Sequence, residues 1–292
     1  MRAARPEHFF RSLFLVFGDG WGQALPRTLK GNVAVVTGSS RGIGRGIALG
    51  LGEAGCTVYL TGRTLRSGES DRPGSINATA EELDKLGGVG IPVKCDHRSD
   101  SQTESVFSRV EEEQHRLDLL VNNATLYSLD YGPREDLPFW ELPLEEWDMM
   151  NTVGLRSYFV TSMFAARMMT RQRYGLIVNV SSMGAVQYTG NVSYNVVKAG
   201  VDMMTTGMAE ELRKHNVAVV SLWPRLTRTE GVTAHPELFP NLSRAWSPTF
   251  NGRAVAALAS DPKIIEKTGH AFQAPLLAKE YGFTDVDGRS PE

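Results

Sequence analysis

From Gly31 onward, short apolar runs alternate with longer segments that have the periodicity of helices. A run that is apolar along nearly its whole length is typical of a strand covered on both faces, as in a parallel sheet. The predicted strands are 33–37, 57–61, 89–94, 117–121, 176–181 and 217–223, and the predicted helices are about 43–54, 75–86, 100–115, 145–172 and 193–215. This order predicts right-handed βαβ crossovers and an α/β fold, a single doubly wound parallel sheet of about seven strands with helices on both faces.

The chain has 292 residues, which are predicted to form one domain over 30–292 after an N-terminal extension, 1–29. Proline and glycine concentrate in segments that follow predicted strands, which indicates loops of one domain and not linkers between two. Ligands of a doubly wound sheet bind beyond the carboxyl ends of its strands. We therefore expect loops at about 126–143 and 226–248 to surround the substrate.

The charge balance and the cysteine count exclude several classes of function. A formal net charge of −2 provides no basic field for nucleic acid, so no nucleic-acid partner is expected. Only Cys56 and Cys95 occur, so neither a disulfide scaffold nor a metal cluster is predicted. This cysteine usage fits a reducing, intracellular compartment.

An apolar cluster in the N-terminal extension, 9–17, lies close to Arg2, Arg5 and Arg11. One interpretation is a targeting signal or a weak interfacial anchor, which would bring the protein into contact with a membrane. The other is an extension that packs loosely or is disordered, since Arg11 interrupts the apolar run and Glu7 lies in the same stretch. The expected location is cytoplasmic or associated with the endoplasmic reticulum.

A glycine-rich turn, 37–44, joins the first predicted strand to the first predicted helix. Its glycines permit a tight turn, close approach of the backbone to a pyrophosphate, and close packing of helix on strand. The free N–H groups at the start of the helix favour an anion there. In this context the turn predicts dinucleotide binding by a Rossmann-type domain, with cofactor contacts from Gly38, Ser40, Arg41, Gly42, Ile43 and Gly44.

The residues around the adenosine favour NADP(H) over NAD(H). A site that prefers NAD carries an acid after the second strand, but this chain has Arg63 there and Arg41 in the glycine-rich turn. Two guanidinium groups suit a ribose 2′-phosphate, although either arginine could instead be a solvated surface side chain. Asp96, after the third strand, either accepts from the adenine amino group or serves as a turn or helix-capping residue.

A proton-transfer group is predicted at the start of the helix 193–215. Tyr194 and Lys198 are four residues apart, so their side chains share one helix face. An ammonium beside a phenol favours the phenolate and is expected to lower the pKa of Tyr194. Upstream, the fifth predicted strand runs into Ser181 and Ser182, either of which could hydrogen-bond to a substrate carbonyl oxygen.

Taken in order, these features resemble the short-chain dehydrogenase/reductase family over about residues 31–275. The match comprises the Thr-Gly-x-x-x-Gly-x-Gly turn, Asn122-Asn123-Ala124, a helix asparagine at Asn151, a serine, and Tyr-x-x-x-Lys, and further similarity to one member lies in 41–49, 151–156, 221–224 and 285–289. The resemblance implies that Tyr194 is the general acid/base and that Lys198 binds the nicotinamide ribose. It also implies that Asn151 holds a proton-relaying water and that Asn123 steadies the cofactor side of the site. The implied cofactor is NADPH, and the implied substrates are ketones such as steroids and xenobiotic carbonyls.

The chain departs from the family pattern at two places. The common family spacing selects Ser181, thirteen residues before Tyr194, whereas alignment on the end of the strand selects Ser182, which we favour slightly. The family's Pro-Gly after the sixth strand is Pro224-Arg225 here, although Thr229 remains where a nicotinamide contact is expected. Arg225 adds bulk and charge near the nicotinamide, so a non-catalytic NADP(H)-binding sensor or scaffold is the alternative function.

The two substrate loops are rich in aromatic residues, which suits a bulky, apolar carbonyl substrate. The alternative is that these side chains only pack the loops down; they are Tyr127, Tyr131, Phe139, Trp140, Phe239 and Trp246, together with Leu238. In this family the helices at 145–172 and 193–215 commonly pair across a homodimer, so a homo-oligomer is expected. Their methionine-rich faces could equally belong to the core.

Overall fold

The computed structural model describes residues 29–125 and 137–292. Within them the chain forms one sheet of seven parallel strands in the order β3-β2-β1-β4-β5-β6-β7. The strands are β1 Val33–Val36, β2 Thr57–Gly62, β3 Val89–Lys94, β4 Leu119–Asn122, β5 Gly175–Val180, β6 Val217–Trp223 and β7 Ala271–Gln273. The predicted doubly wound α/β fold is confirmed.

The six predicted apolar runs became β1 to β6, each within about two residues of the expected bounds. The expectation that every run is covered on both faces is wrong for β3, an edge strand in which none of the six residues is buried. Its first residue, Val89, is 52% exposed because an edge strand lacks a neighbour on one side. The seventh strand, β7, has only three residues, which is too short to show as an apolar run.

Helices cover both faces of the sheet, as expected. They are α1 Gly42–Glu53, α2 Ile76–Lys85, α3 Asp100–Gln114, α4 Leu144–Asn151, α5 Ser157–Gln172, α6 Val192–Leu212, α7 Glu230–Ala234, α8 Pro248–Ser260 and α9 Ala274–Tyr281. One core contains side chains of α1, α2, α8 and α9, and the other contains side chains of α3, α5 and α6. Alternate residues of β1 enter opposite cores, Ala34 the first and Val35 the second, which is the geometry of a strand.

Helices α1 and α8 pack with their backbones in contact. A Cβ added at Gly46, Gly50 or Gly252 would lie under 3.0 Å from backbone atoms of the opposite helix. The glycines therefore permit an approach that any side chain would prevent. Because α1 starts at the glycine-rich turn and α8 starts at residue 248, this contact joins the turn to the end of the second substrate loop.

The base of the second substrate loop is closed by hydrogen bonds. Arg228 N donates to Trp246 O at 2.8 Å, and Trp246 N donates to Leu226 O at 2.9 Å. Residues near the C-terminus reinforce the closure, since Ser247 N donates to Asp285 Oδ2 at 2.9 Å and Ser247 Oγ donates to Asp285 Oδ1. The loop thus begins and ends at one anchored point.

Two predictions concern segments that lie outside the described residues. They are the nature of the N-terminal extension up to residue 28 and the part of the first substrate loop over 126–136, with Tyr127 and Tyr131. In the segments that the structure covers, none of the helices combines the length and the apolar character needed to cross a membrane.

Candidate active site

The candidate site lies at the carboxyl ends of the central strands. Ser182 follows β5, and Tyr194 and Lys198 lie in the first two turns of α6. The helix begins where it does because Asn191 caps it: Asn191 Oδ1 accepts from Tyr194 N at 2.8 Å. The cap fixes the first turn of the helix and with it the direction of the Tyr194 side chain.

Of the two candidate serines, the structure brings Ser182 to the tyrosine. Tyr194 Oη donates to Ser182 Oγ at 2.9 Å. Ser182 Oγ also accepts from Gly184 N at 3.0 Å, and this second bond holds the hydroxyl in place. Ser181 is buried on the other side of the backbone, where its Oγ donates to Lys198 O at 3.3 Å. Consecutive residues at the end of an extended strand point to opposite faces, so only one of the pair can reach the phenol.

Lys198 lies beneath the phenol ring and is buried, with 3% of its surface exposed. Its Nζ donates to Val180 O at 2.9 Å and is 5.6 Å from the centroid of the Tyr194 ring. Burial lowers the pKa of Lys198 to about 8, partly opposed by the negative charge of Asp202. Lys198 therefore gains or loses its proton within the pH range in which most enzymes operate.

The expected lowering of the Tyr194 pKa is wrong for the protein without ligands. Burial raises the pKa of the phenol above its usual value, and the hydrogen bond with Ser182 opposes this only in part. Lys198 directs its ammonium to a backbone carbonyl and not to the phenol oxygen. The phenol is consequently held as a proton donor.

Asn151 lies at the end of α4, immediately before one π-helical turn, Thr152–Arg156, which joins α4 to α5. Its Nδ2 donates to Trp147 O at 2.9 Å, one turn back along the helix. Single π-turns inside helices are frequent at functional sites. No direct hydrogen bond between Asn151 and Lys198 is formed in the described structure, so the predicted relay through a water stays a prediction.

The glycine-rich turn has the conformation that close backbone approach requires. Gly38 and Gly42 adopt φ values of +67° and +59°, which side chains rarely tolerate. A Cβ at Gly44 would lie under 3.0 Å from Asn123 Nδ2 and Gly38 O. Asn123 braces the turn, because its Nδ2 donates to Thr37 O at 2.9 Å and to Gly38 O at 3.1 Å.

Arginines surround the far end of the turn. Arg41 Nη2 donates to Thr64 Oγ1 at 3.2 Å, while its buried Nε has no hydrogen-bond partner in the structure. Burial and then the nearby Arg72 lower the pKa of Arg41, the carboxylate of Glu230 opposes this in part, and Arg63 adds a smaller lowering effect. Two guanidinium groups that add positive charge near Arg41, together with the unused Nε donor of Arg41, fit a phosphate of a dinucleotide. Arg72 carries no local signal in the sequence, because it lies in a loop nine residues beyond Arg63.

A carboxylate also reaches the glycine-rich turn. Gly42 N donates to Glu230 Oε2 at 2.8 Å, so the first amide of α1 already contacts an anionic oxygen. Glu230 starts α7, and the preceding Thr229 caps that helix by accepting from Val232 N at 3.3 Å. Thr229 lies close to Gly42, where its Cγ2 would be 3.7 Å from an added Cβ. No local sequence signal pairs Glu230 with Gly42, which is 188 residues away.

The remaining cofactor candidates have differing surroundings. The Asp96 carboxylate accepts from Arg98 N at 3.0 Å and from the Arg98 guanidinium, which favours its role as a turn residue over an adenine contact. The Arg98 hydrogen bonds lower the pKa of Asp96. Ser40 lies beside Gly62 at the end of β2, and Ile43 packs partly buried on the first core.

Exposed aromatic side chains lie in the first predicted substrate loop, and an exposed arginine lies beside the candidate site. Phe139 and Trp140 are 62% and 71% exposed and meet edge to face, with ring centroids 5.3 Å apart. Arg225 is exposed, and its Nη1 contacts Met183 Sδ at 2.8 Å, next to Ser182.

Of the aromatic residues expected to face substrate, Trp246 does not do so. Trp246 stacks on Phe250 with ring centroids 4.2 Å apart, so it packs the loop base onto the core. Leu238 and Phe239 are half-buried at the end of a short 3₁₀ turn, Pro236–Leu238.

Comparison with known proteins identifies relatives over most of the chain. The family model described as short chain dehydrogenase matches residues 32–237. Dehydrogenase/reductase SDR family member 1 from Mus musculus is 45% identical over 274 residues, which cover 89% of this chain and 85% of that protein. Its Homo sapiens counterpart is 42% identical over the same shares.

Comparison with solved structures also identifies a dehydrogenase that aligns over most of the chain. A Beutenbergia cavernae protein described as an NAD(P)-dependent gluconate 5-dehydrogenase, with NADP bound at low occupancy, aligns with a TM-score of 0.73. It is 25% identical, and the alignment covers 85% of this chain and 97% of that protein.

Proposed function

The chain belongs to the short-chain dehydrogenase family of oxidoreductases, and we propose that it reduces a ketone or aldehyde with NADPH and, in reverse, oxidises the alcohol. The observation that carries this proposal is the 2.9 Å hydrogen bond between Tyr194 Oη and Ser182 Oγ, above a buried lysine and beside a turn shaped for a dinucleotide. A phenol and a hydroxyl that already meet can converge on one carbonyl oxygen.

The residues have distinct roles in the proposed reaction. Ser182 donates to the substrate carbonyl oxygen and orients it, and Tyr194 Oη gives that oxygen its proton. Lys198 keeps a positive charge near the phenol, which stabilises the phenolate left after the proton has moved. Bound NADPH supplies the hydride. Asn151 is the proposed anchor of the water that returns a proton by way of Lys198.

The proposed cofactor preference rests on the arginines around the glycine-rich turn. Gly38, Gly42 and Asn123 shape and brace the turn that would receive the pyrophosphate, while Arg41 and Arg63 would bind the 2′-phosphate. We expect Arg41→Ala and Arg63→Ala to weaken NADPH binding and to leave NADH binding nearly unchanged. Equal loss for both cofactors in fluorescence titrations would contradict this assignment.

The proposed substrate is bulky and largely apolar, of the kind represented by steroids and xenobiotic carbonyls. Phe139 and Trp140 support this, because together they present a large exposed aromatic surface in the first predicted substrate loop. A panel of steroid ketones, quinones and small aldehydes tests it. Faster turnover of the small aldehydes than of the steroids would refute it.

We also propose a homodimer. Val192, Val196 and Met203 share one face of α6 and are 38%, 43% and 51% exposed, and Phe159 on α5 is 55% exposed. Exposed apolar side chains on neighbouring helices are typical of subunit interfaces. Sedimentation of the wild-type protein and of a Phe159→Glu variant tests this.

An intracellular location, cytoplasmic or at the endoplasmic reticulum, is supported by two buried free thiols.

The decisive test of the reaction is Tyr194→Phe, assayed by the loss of NADPH absorbance with the substrate panel. Turnover should fall by at least about a hundredfold, because the general acid is removed, while NADPH binding persists. Tyr188→Phe is the matched control, since Tyr188 is 71% exposed and lies six residues away. Full turnover by Tyr194→Phe would refute the mechanism.

Arg225 beside Met183 favours a second candidate, a protein that binds NADP(H) without turnover. Measurable NADPH binding by the wild type, with no activity on any carbonyl in the panel, would support that candidate.

A further inference from the structure

A buried carboxylate lies behind the candidate site, one turn beyond Lys198 on α6. Tyr194, Lys198 and Asp202 are spaced four residues apart, so they share one face of the helix. Asp202 is 5% exposed, although aspartate is rarely buried without a partner. The mechanism above makes no use of it.

Hydrogen bonds from β6 hold Asp202 in one position. Ser221 Oγ donates to Asp202 Oδ1 at 2.7 Å, and Trp223 Nε1 donates to Asp202 Oδ2 at 3.0 Å. Burial raises the pKa of Asp202 above its ordinary value, and these two hydrogen bonds, a third from Ser181 and the charge of Lys198 oppose that rise only in part. Each of the two oxygens has a donor, and these hydrogen bonds stabilise the ionised form against the cost of its burial.

Behind Asp202, the hydrogen-bonded network continues through the sheet. Ser221 Oγ and Thr205 Oγ1 are 3.0 Å apart, Asn179 Nδ2 donates to Thr205 Oγ1 at 2.9 Å, and Asn122 Nδ2 donates to Asn179 Oδ1 at 2.8 Å. A network with its members satisfied is rigid. Asp202 is therefore held by the core of the sheet and not by α6 alone.

Lys198 has no direct ion pair among the described residues, because its Nζ donates to the neutral carbonyl of Val180. A buried ammonium without an opposite charge is costly and tends to lose its proton. Asp202 is the charge that opposes this tendency by raising the pKa of Lys198. The other titratable groups facing the pair are Tyr158 of α5, whose ring centroid is 6.0 Å from Nζ, and His270, which lines a small cavity beside Asp202.

We propose that Asp202 is a positioning residue of this enzyme, the fixed counter-charge that keeps Lys198 an ammonium under the Tyr194 ring. The effect of Asp202 on catalysis rests on the proposed carbonyl reduction. Its effect on the charge of Lys198 can be measured in the protein without substrate or cofactor. Within the described structure no hydrogen bond joins Asp202 to the phenol of Tyr194, so its proposed effect passes through Lys198.

The first experiment is a titration of the Lys198 ammonium by nitrogen-15 NMR in the protein without added cofactor, with the signal assigned by its loss in Lys198→Met. In Asp202→Asn we expect the proton affinity of Lys198 to fall about tenfold, the lower end of what a nearby opposite charge contributes. Asp202→Glu, which keeps the charge, should restore most of it. If Asp202→Asn does not fold, Asp202→Ser takes its place, because it removes the charge and leaves room for a water beside Ser221.

The matched control is Asp261→Asn. Asp261 is a second poorly exposed carboxylate, which accepts from Tyr281 Oη at 2.5 Å and lies 3.6 Å from Lys267 Nζ, away from the site. Its loss should leave the Lys198 titration unchanged. An unchanged titration in Asp202→Asn, or an equal change in Asp202→Asn and Asp202→Glu, would overturn the proposal, since either result leaves Asp202 a merely structural role.

The second experiment measures kcat and KM against pH for the best carbonyl of the panel. In Asp202→Asn the alkaline decline of kcat should move to lower pH, with little change in KM for the carbonyl. An unmoved profile would overturn the catalytic part of the proposal. If the wild type has no turnover, the proposed function fails, while the NMR titration still decides whether Asp202 supports the charge of Lys198.

Discussion

Replacing Lys198 with methionine should remove activity and yet stabilise the fold near neutral pH. The ammonium is buried, and burial lowers its pKa from 10.5 to about 8. Folding therefore disfavours the charged form that the proposed reaction requires. Methionine fills a similar volume without the charge. The carbonyl of Val180 keeps a donor in the variant, because Tyr158 Oη also donates to it at 3.3 Å.

The magnitude follows from the pKa of Lys198 in the folded and unfolded chains. A fall from 10.5 to about 8 corresponds to about 3 kcal/mol of unfolding free energy. Below about pH 8 Lys198 is protonated in both the folded and the unfolded chain, so the folded state is destabilised by the full free-energy cost of burying the charge. Between about pH 8 and 10.5 the unfolded chain binds more protons, so wild-type stability rises with pH by about that amount.

The assay is urea unfolding of the wild type and Lys198→Met at a series of pH values from about 7 to about 10. The variant's advantage should shrink by most of about 3 kcal/mol over this range, while titrations common to both proteins cancel in the difference. Asp202 loses its opposite charge in Lys198→Met, which reduces the stability gained by the variant at neutral pH. The change of that stability difference between about pH 7 and 10 is not affected. Lys279→Met, at an exposed position, is the control. A difference between wild type and Lys198→Met that stays constant with pH would refute the reasoning.

Two further predictions concern the glycine-rich turn. Gly44→Ala should destabilise the fold by about 1–3 kcal/mol and abolish NADPH binding, because the new Cβ would overlap Asn123. Thermal unfolding and fluorescence titration measure the two effects, with Gly207→Ala as the control because Gly207 has open space around it. Equal behaviour of the two variants would contradict the prediction. Glu230→Gln should tighten NADPH binding by about 1 kcal/mol, roughly fivefold, because it removes the negative charge that lies beside the Gly42 amide. Calorimetry measures the affinity, and weaker binding would show that Glu230 helps to hold the cofactor.

The framework was predictable because each of its signals is local. The β-branched run before Gly38 becomes β1, and the spacing of Tyr194 and Lys198 places both on one face of α6. Helix α8 also carried a local signal, a serine cap at Ser247 followed by Pro248, which the sequence analysis did not use.

The contacts between distant segments were not predictable from the chain alone. Which serine meets the phenol depends on the pleat of β5 at its last residue, where a shift of one position exchanges Ser181 and Ser182. The raised pKa of Tyr194 depends on how deeply the core covers it, and sequence spacing does not report burial. The contact of Glu230 with Gly42 depends on the path of a loop.

The glycine contact between α1 and α8 has a mechanical consequence. Gly46, Gly50 and Gly252 leave no compressible layer of side chains between the two helices, so neither can shift without carrying the other. We therefore expect α1, which begins at the glycine-rich turn, and α8, which begins at the end of the second predicted substrate loop, to move as one rigid unit. A displacement of the turn by an incoming dinucleotide would be transmitted to the far end of the loop instead of being absorbed between them. The distance between the glycine-rich turn and the end of the loop is therefore expected to be set by the rigid contact between these two helices.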